Sequence, residues 1–362
     1  MEGRNRRQRI IGRATIGLST KVTSGLLSLL LCFLLVAIAG CAQREARPAS
    51  GTPTAVHSFV NPVIASDFAD PSILQAGDLY FAYATNAYGK HVQVASSHDL
   101  VHWDLLSDAL PALPSWASVG GSYVWAPEVI QIGTTYVMYY TARDTRSNRQ
   151  CVGVATSENP AGKFKDTRSH PLVCQADQGG TIDPSPFRDG QTLYLYFKND
   201  GNCCGQTTYL YAQQLTPDGL SVIGKPTPLV HNEQIWESHV VEAPEMFKHD
   251  GKYYLFFSAN NYATPDYAVG YALCSTPTGP CTQATSNPML ASHMQPPLVV
   301  GPGGESVFQV GQQTWIAYHE WQITEDGTLS GSRAMCLDRL NWQDDVPHVQ
   351  GPTTGPQQMP IV

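Results

Sequence analysis

One phrase recurs five times along this chain, and a repeat constrains the fold more than any local signal. The copies are "ADPSILQAGDLYFAY", "WAPEVIQIGTTYVMYY", "IDPSPFRDGQTLYLYF", "EAPEMFKHDGKYYLFF" and "GGESVFQVGQQTWIAYH". Each runs from a short strand through a glycine turn into a strand of alternating aromatic and β-branched residues, which is a hairpin signature. The turn glycines are Gly77, Gly133, Gly190, Gly251 and Gly311, spaced 56, 57, 61 and 60 residues apart. The second half of each unit adds a strand and a polar turn, as in "HVQVASSHDLVHW", "CVGVATSENPAGKF", "TYLYAQQLTPDGL", "AVGYALCSTPTGP" and "SRAMCLDRLNW". Units of about four strands, repeated five times without an amphipathic helix, predict an all-β, five-bladed β-propeller. It forms a single domain over residues 58–350, followed by a C-terminal tail, 351–362.

In a propeller the first strand of each blade lines the central channel. Matching positions of different repeats therefore converge on one pocket. Asp70 and Asp183 precede the shared proline of units one and three. Ala126 and Ala243 hold that place in units two and four, and Glu242 lies one residue earlier, where unit two has Trp125. Asp before Pro also starts ordinary turns, but carboxylates from three blades in near register point to chemistry. Two carboxyl groups facing one cleft are what glycoside hydrolysis requires: one protonates the leaving oxygen, and the other activates water or attacks the sugar. A third carboxylate nearby raises the pKa of the acid. Glu is the natural acid by reach and intrinsic pKa, with Glu242 and Glu245 as rivals; Glu128 also follows a proline.

The blocks "NPVIASDFADPSIL", "VWAPEV", "GGTIDPSPF" and "VEAPEM" resemble the signature blocks of glycoside hydrolase family 43, over about residues 59–350. That resemblance implies an inverting glycosidase acting on arabinan, arabinoxylan or xylo-oligosaccharides. It implies Asp70 as general base, Asp183 as the residue that tunes and orients the acid, and Glu242 as the acid. Arabinofuranosidase or arabinanase activity is the leading expectation, with β-xylosidase and a catalytically silent glycan-binding propeller as alternatives. Trp125 is the candidate wall for a sugar ring, with Phe68 and Trp236 behind it, and Trp103 reads as core packing. Arg333, in "GSRAM", and His319, in "AYHEW", match family positions near the substrate. Many members carry Gly-Pro-Gly-His at the start of blade five, where the His helps hold a metal. Here the phrase is "GPGGESVF", with Gly304 in the His place, so a channel calcium is not expected; Glu305 alone is a poor basis for one. No nucleotide loop or redox motif suggests another cofactor.

Charge and cysteine use agree with an exported enzyme on a neutral substrate. Residues 1–40 hold six Lys/Arg and one Glu, which leaves 16 basic and 29 acidic residues beyond them, a net −13. An acidic body lacks the basic field of a nucleic-acid binder. The basic start and the apolar run "GLLSLLLCFLLVAIAG" read as a signal peptide, 1–40, and "IAGC" resembles a bacterial lipobox with Cys41 as the lipidated residue. Residues 41–57 read as a flexible tether. The protein is thus expected at the bacterial cell envelope, touching a membrane only through its lipid. Seven further cysteines suit an oxidising compartment. Cys274 with Cys281 and Cys151 with Cys174 are the candidate bridges, while adjacent Cys203 and Cys204 pair together or elsewhere.

Overall fold

The computed structural model describes residues 58–118, 123–324 and 327–362. The leader, Cys41 and the 41–57 tether lie outside the described residues. After a short strand β1 (Ser58–Phe59), blade one comprises β2 (Ser72–Ala76), β3 (Leu79–Ala84), β4 (Gln93–Ser97) and β5 (Asp104–Leu105). Blade two has three strands, β6 (Trp125–Ile132), β7 (Thr135–Arg143) and β8 (Gln150–Ser157). Beyond β8 the chain makes isolated antiparallel bridges, Thr156 with Lys165 and Val152 with Val173. Blade three comprises β9 (Thr181–Asp189), β10 (Thr192–Asn199), β11 (Tyr209–Leu215) and β12 (Val222–His231). Blade four comprises β13 (Val241–His249), β14 (Lys252–Ala259), β15 (Ala268–Cys274) and β16 (Cys281–Gln283). Blade five comprises β17 (Val300–Val310), β18 (Gln313–Ile323), β19 (Leu329–Gln343) and β20 (Val346–Val349). The described residues contain three short 3-10 turns and no α-helix.

The recurring glycines make two-residue hairpin turns. Gly77, Gly133, Gly190 and Gly311 take the first turn position with φ between 56° and 64°, the place that a type II′ turn reserves for glycine. The fourth unit uses Asp250-Gly251, both left-handed at φ 46° and 78°, as a type I′ turn requires. Its glycine therefore falls one residue later, which accounts for one residue of the 61-residue interval before it.

Each second strand is buried on both faces because alternate residues serve different neighbours. In β7, Met138 and Tyr140 pack with Phe81, Tyr83 and Val94 of blade one, while Val137 and Tyr139 pack with Leu193, Leu195 and Phe197 of blade three. Similar clusters join blade three to four (Tyr196, Met246, Leu255) and four to five (Tyr254, Ile316, Tyr318). A fifth, with Phe59, Tyr80 and Trp315, closes the ring. The two ends of the described chain reinforce that closure. β1 pairs antiparallel with β21 (Gln357–Gln358), and Ile64 bridges Met335 of β19. Asn61 also donates to the Leu337 carbonyl at 3.1 Å.

Candidate active site

The five repeated phrases share one backbone kink where each blade begins. Asp70, Ala126, Asp183, Ala243 and Gly304, at one equivalent position in the five repeats, have φ of 53°, 42°, 54°, 51° and 58°. A non-glycine residue at positive φ is uncommon, and four in register mark a built feature. In blades two to five the hairpin register slips there, as between Glu242 and Glu245 or Gly303 and Ser306. The side chain at or just before the kink is thereby turned towards the channel mouth.

The amides at these kinks need acceptors, and the preceding blade supplies them. Thr85, Thr141, Lys198, Ser258 and His319 hold one equivalent position across the hairpin from the residue before each kink. Thr85 Oγ1 accepts the Ala126 N–H at 3.0 Å, and Thr141 Oγ1 accepts that of Asp183 at 3.2 Å. Ser258 Oγ accepts the Gly304 N–H at 2.9 Å, and His319 Nδ1 accepts that of Asp70 at 3.1 Å. Lys198 is the exception, since an ammonium cannot accept. Asp183 Oδ2 takes the Ala243 N–H instead, at 2.9 Å, and the fully buried Lys198 Nζ lies 2.7 Å from Glu242 Oε2. The one break in a fivefold pattern thus falls on the two carboxylates of blades three and four.

Asp70, Asp183, Glu242, Trp125 and Arg333 line one cavity of about 380 Å³. That is within the size range of small-molecule sites. Burial is the largest single influence on Asp70 and opposes its ionisation, but the Arg333 guanidinium, with Nη1 3.2 Å from Oδ1, His319 and the Thr85 hydroxyl together outweigh it. Asp70 is therefore held well below the usual carboxylate range. Asp183 goes the other way. Burial raises it, the Glu242 charge adds, and Lys198 offsets only part, leaving it at about 7. Two carboxyl groups with opposed environments on one cavity are the arrangement that acid–base chemistry uses.

Several expected residues lie elsewhere. Phe68 is wholly buried among Ile64, Ala82, Ala84, Ala95 and Met335, so it is core and not a sugar wall. His319 is also wholly buried. It does not line the cavity; its Nδ1 accepts the Asp70 N–H at 3.1 Å and lies 3.3 Å from Asp70 Oδ1. Trp236 packs on Phe257 with its indole N–H on Gln234, and Trp103 packs in the blade-one core. Glu245 lies deeper in the channel, where its Oε2 accepts from Ser185 at 2.9 Å, and it does not line the cavity. Residues that the repeat reading missed include Lys198, Thr85, Arg143, Tyr262 and Tyr267. Lys198 is the one lysine or arginine at the centre of the row "ATN", "YTA", "FKN", "FSA", "YHE".

A metal held by a histidine at the start of blade five does not fit this channel. A Cβ on Gly304 would lie 2.7 Å from Asp70 Oδ1 and from His319 Nδ1, so an imidazole has no room there. Burial pushes Glu305 up to about 8, and its Oε2 accepts from the Ser258 hydroxyl. The structure pairs Cys151 with Cys174, Cys203 with Cys204 and Cys274 with Cys281, and Cys336 is free and buried.

A propeller whose channel mouth gathers three carboxylates, a guanidinium and an indole is the framework of a carboxylate-based glycoside hydrolase. The model described as "Glycosyl hydrolases family 43" matches residues 59–347, and the chain belongs to that family. It is 28% identical over 306 residues to the arabinan endo-1,5-alpha-L-arabinosidase C of Emericella nidulans, covering 77% of this chain and 91% of that protein. Among solved structures it is similar to a thermostable family-43 glycoside hydrolase, with 33% identity and a TM-score of 0.76, covering 84% of this chain and 99% of the other. A structure titled as an endo-1,4-beta-xylanase from Bacteroides thetaiotaomicron gives 28% identity and a TM-score of 0.69, covering 82% of this chain and 98% of the other.

Proposed function

We propose that the protein hydrolyses α-L-arabinofuranosidic bonds of arabinan or arabinoxylan with inversion. The observation that carries this reading is the convergence of Asp70, Asp183 and Glu242 on one cavity, with Asp70 held ionised. Asp70 takes a proton from water as that water attacks the anomeric carbon. Glu242 gives its proton to the leaving oxygen and becomes an anion beside the Lys198 ammonium, 2.7 Å away. That ion pair stabilises the carboxylate as it forms. Asp183, whose Oδ2 accepts the Ala243 N–H next to Glu242, orients the acid. Trp125 and Arg333 are placed to hold the sugar. The arabinan-cleaving relative supports the arabinose reading.

A panel of arabinan, arabinoxylan, xylobiose and the aryl arabinofuranoside and xyloside tests this, with product anomers read by NMR. Arabinose release with an inverted anomer is expected. Release of xylose alone favours the β-xylosidase alternative, and sugar binding without turnover favours a silent glycan-binding propeller. Because position 304 has no room for an imidazole, the reaction is proposed to need no channel metal, and activity that survives chelation is the expected result. The "IAGC" phrase supports lipidation at Cys41 and a place on the outer face of a bacterial membrane. Membrane fractionation checks this: Cys41→Ser is expected to move the protein to the soluble fraction.

A further inference from the structure

The bridge between Cys203 and Cys204 lies in a 3-10 turn, Gly201–Cys204, that joins β10 to β11 at the rim of the cavity. Cys203 and the adjacent Asn202 line the same cavity as Asp183 and Glu242. A bridge between consecutive residues closes almost no chain, so the loop-closure stabilisation of ordinary disulfides is absent. The turn does not depend on it either. The Gln206 amide donates to the Gly201 carbonyl at 2.9 Å, and Asn199 ties the base through Thr207 at 3.0 Å and Tyr209 at 2.6 Å. The Arg149 guanidinium fixes the sulfurs from behind, with Nη1 2.9 Å from Cys204 Sγ and 3.6 Å from Cys203 Sγ. Both cysteines remain exposed. The result is a rigid, polarizable, apolar surface held against solvent beside three half-buried carboxylates, with the Asn202 amide next to it.

We infer that the Cys203–Cys204 disulfide is one wall of a sugar subsite, taking the C–H face of a pentose ring adjacent to the ring whose bond is cleaved. The adjacent ring is assigned because the turn stands at the exposed rim, while the carboxylates form the cavity floor. A pre-stiffened surface loses no rotamer freedom on binding, and soft sulfur offers good dispersion contact to C–H groups. This subsite rests on the glycosidase reading above for its ligand.

The test is the double variant Cys203→Ser/Cys204→Ser in the full chain. Its kcat/KM on a linear pentose trimer is expected to fall about tenfold, chiefly through KM. The fall on an aryl monosaccharide glycoside is expected to be distinctly smaller, because that substrate has no second sugar ring. Equal losses on the two substrates, or no loss on either, would overturn the subsite. A second measurement is independent of turnover: in the Glu242→Gln background, affinity for the trimer is compared with and without the double substitution. Weakened binding supports the wall even if the wild type proves catalytically silent, and unchanged affinity overturns it.

Discussion

Asp70 and Asp183 hold the same place in two blades, at φ 53° and 54°, each before a proline where its blade begins. Their chemistry is opposite. Asp70 faces Arg333 and stays ionised, whereas Asp183 faces Glu242 and is pushed up to about 7. The scaffold therefore fixes where a carboxylate points, and the neighbouring blades fix its charge. Arg333 and His319 come from blade five, and Lys198 and Glu242 from blades three and four. A repeat protein can give copies of one motif different roles without altering the motif.

The largest effect should come from breaking the ionised member. Asp70→Asn is expected to lower kcat/KM by at least about 10²–10⁴-fold, whatever the leaving group. Glu242→Gln should match that loss on arabinan but lose much less on aryl glycosides with acidic phenols, which depart without a donated proton. A Glu242→Gln loss independent of the phenol would remove Glu242 from the acid role. Asp183→Asn comes next, with a smaller loss in kcat, and it carries a pH signature in stability. The folded-state pKa of Asp183 is raised, so the folded protein binds more protons than the unfolded chain between about pH 4 and about pH 7. Stability contributed by the group is present below that window and falls as pH rises through it. Denaturation with pH should show Asp183→Asn gaining relative to wild type over that range. A constant difference between the two proteins would show that Asp183 is not the raised group.

Lys198→Thr tests the comparison more gently. A hydroxyl at this position is what blades one and two already use to accept the next bulge amide. The variant is expected to fold, with kcat reduced more than KM, because only the ion pair to Glu242 is lost. A rise in KM with kcat intact would make Lys198 a substrate contact instead.

Much of this was legible in the repeat. Glycine spacing gives the blades, and shared register gives the three carboxylates, because both are backbone properties that every copy must satisfy. Lys198 was equally in register but stands in an apolar strand, where attention falls on the aromatics. The rim was not legible: Tyr262 and the Cys203–Cys204 turn lie in connections whose lengths differ between blades, so no copy predicts another. The hidden tuning of Asp183 was opaque for the same reason. It depends on which side chain the adjacent blade presents, and sequence order does not show that distance.

Phe68 is the instructive error. It lies two residues before Asp70, outside any strand, so no alternation assigns it a face. The Phe68 amide donates to the Arg333 carbonyl at 2.7 Å, which draws this segment under blade five and turns the ring into the core. Its contribution to the site is indirect, since the same segment carries Asp67, whose carboxylate accepts the Arg333 N–H at 2.9 Å. Phe68→Leu should therefore cost about 1 kcal/mol of stability and leave KM and kcat near wild type once the protein is folded. By contrast Trp125→Ala, on the cavity wall, should raise KM with little change in melting temperature. If Phe68→Leu raised KM as Trp125→Ala does, the ring would be reaching the sugar, and its assignment to the core would fall.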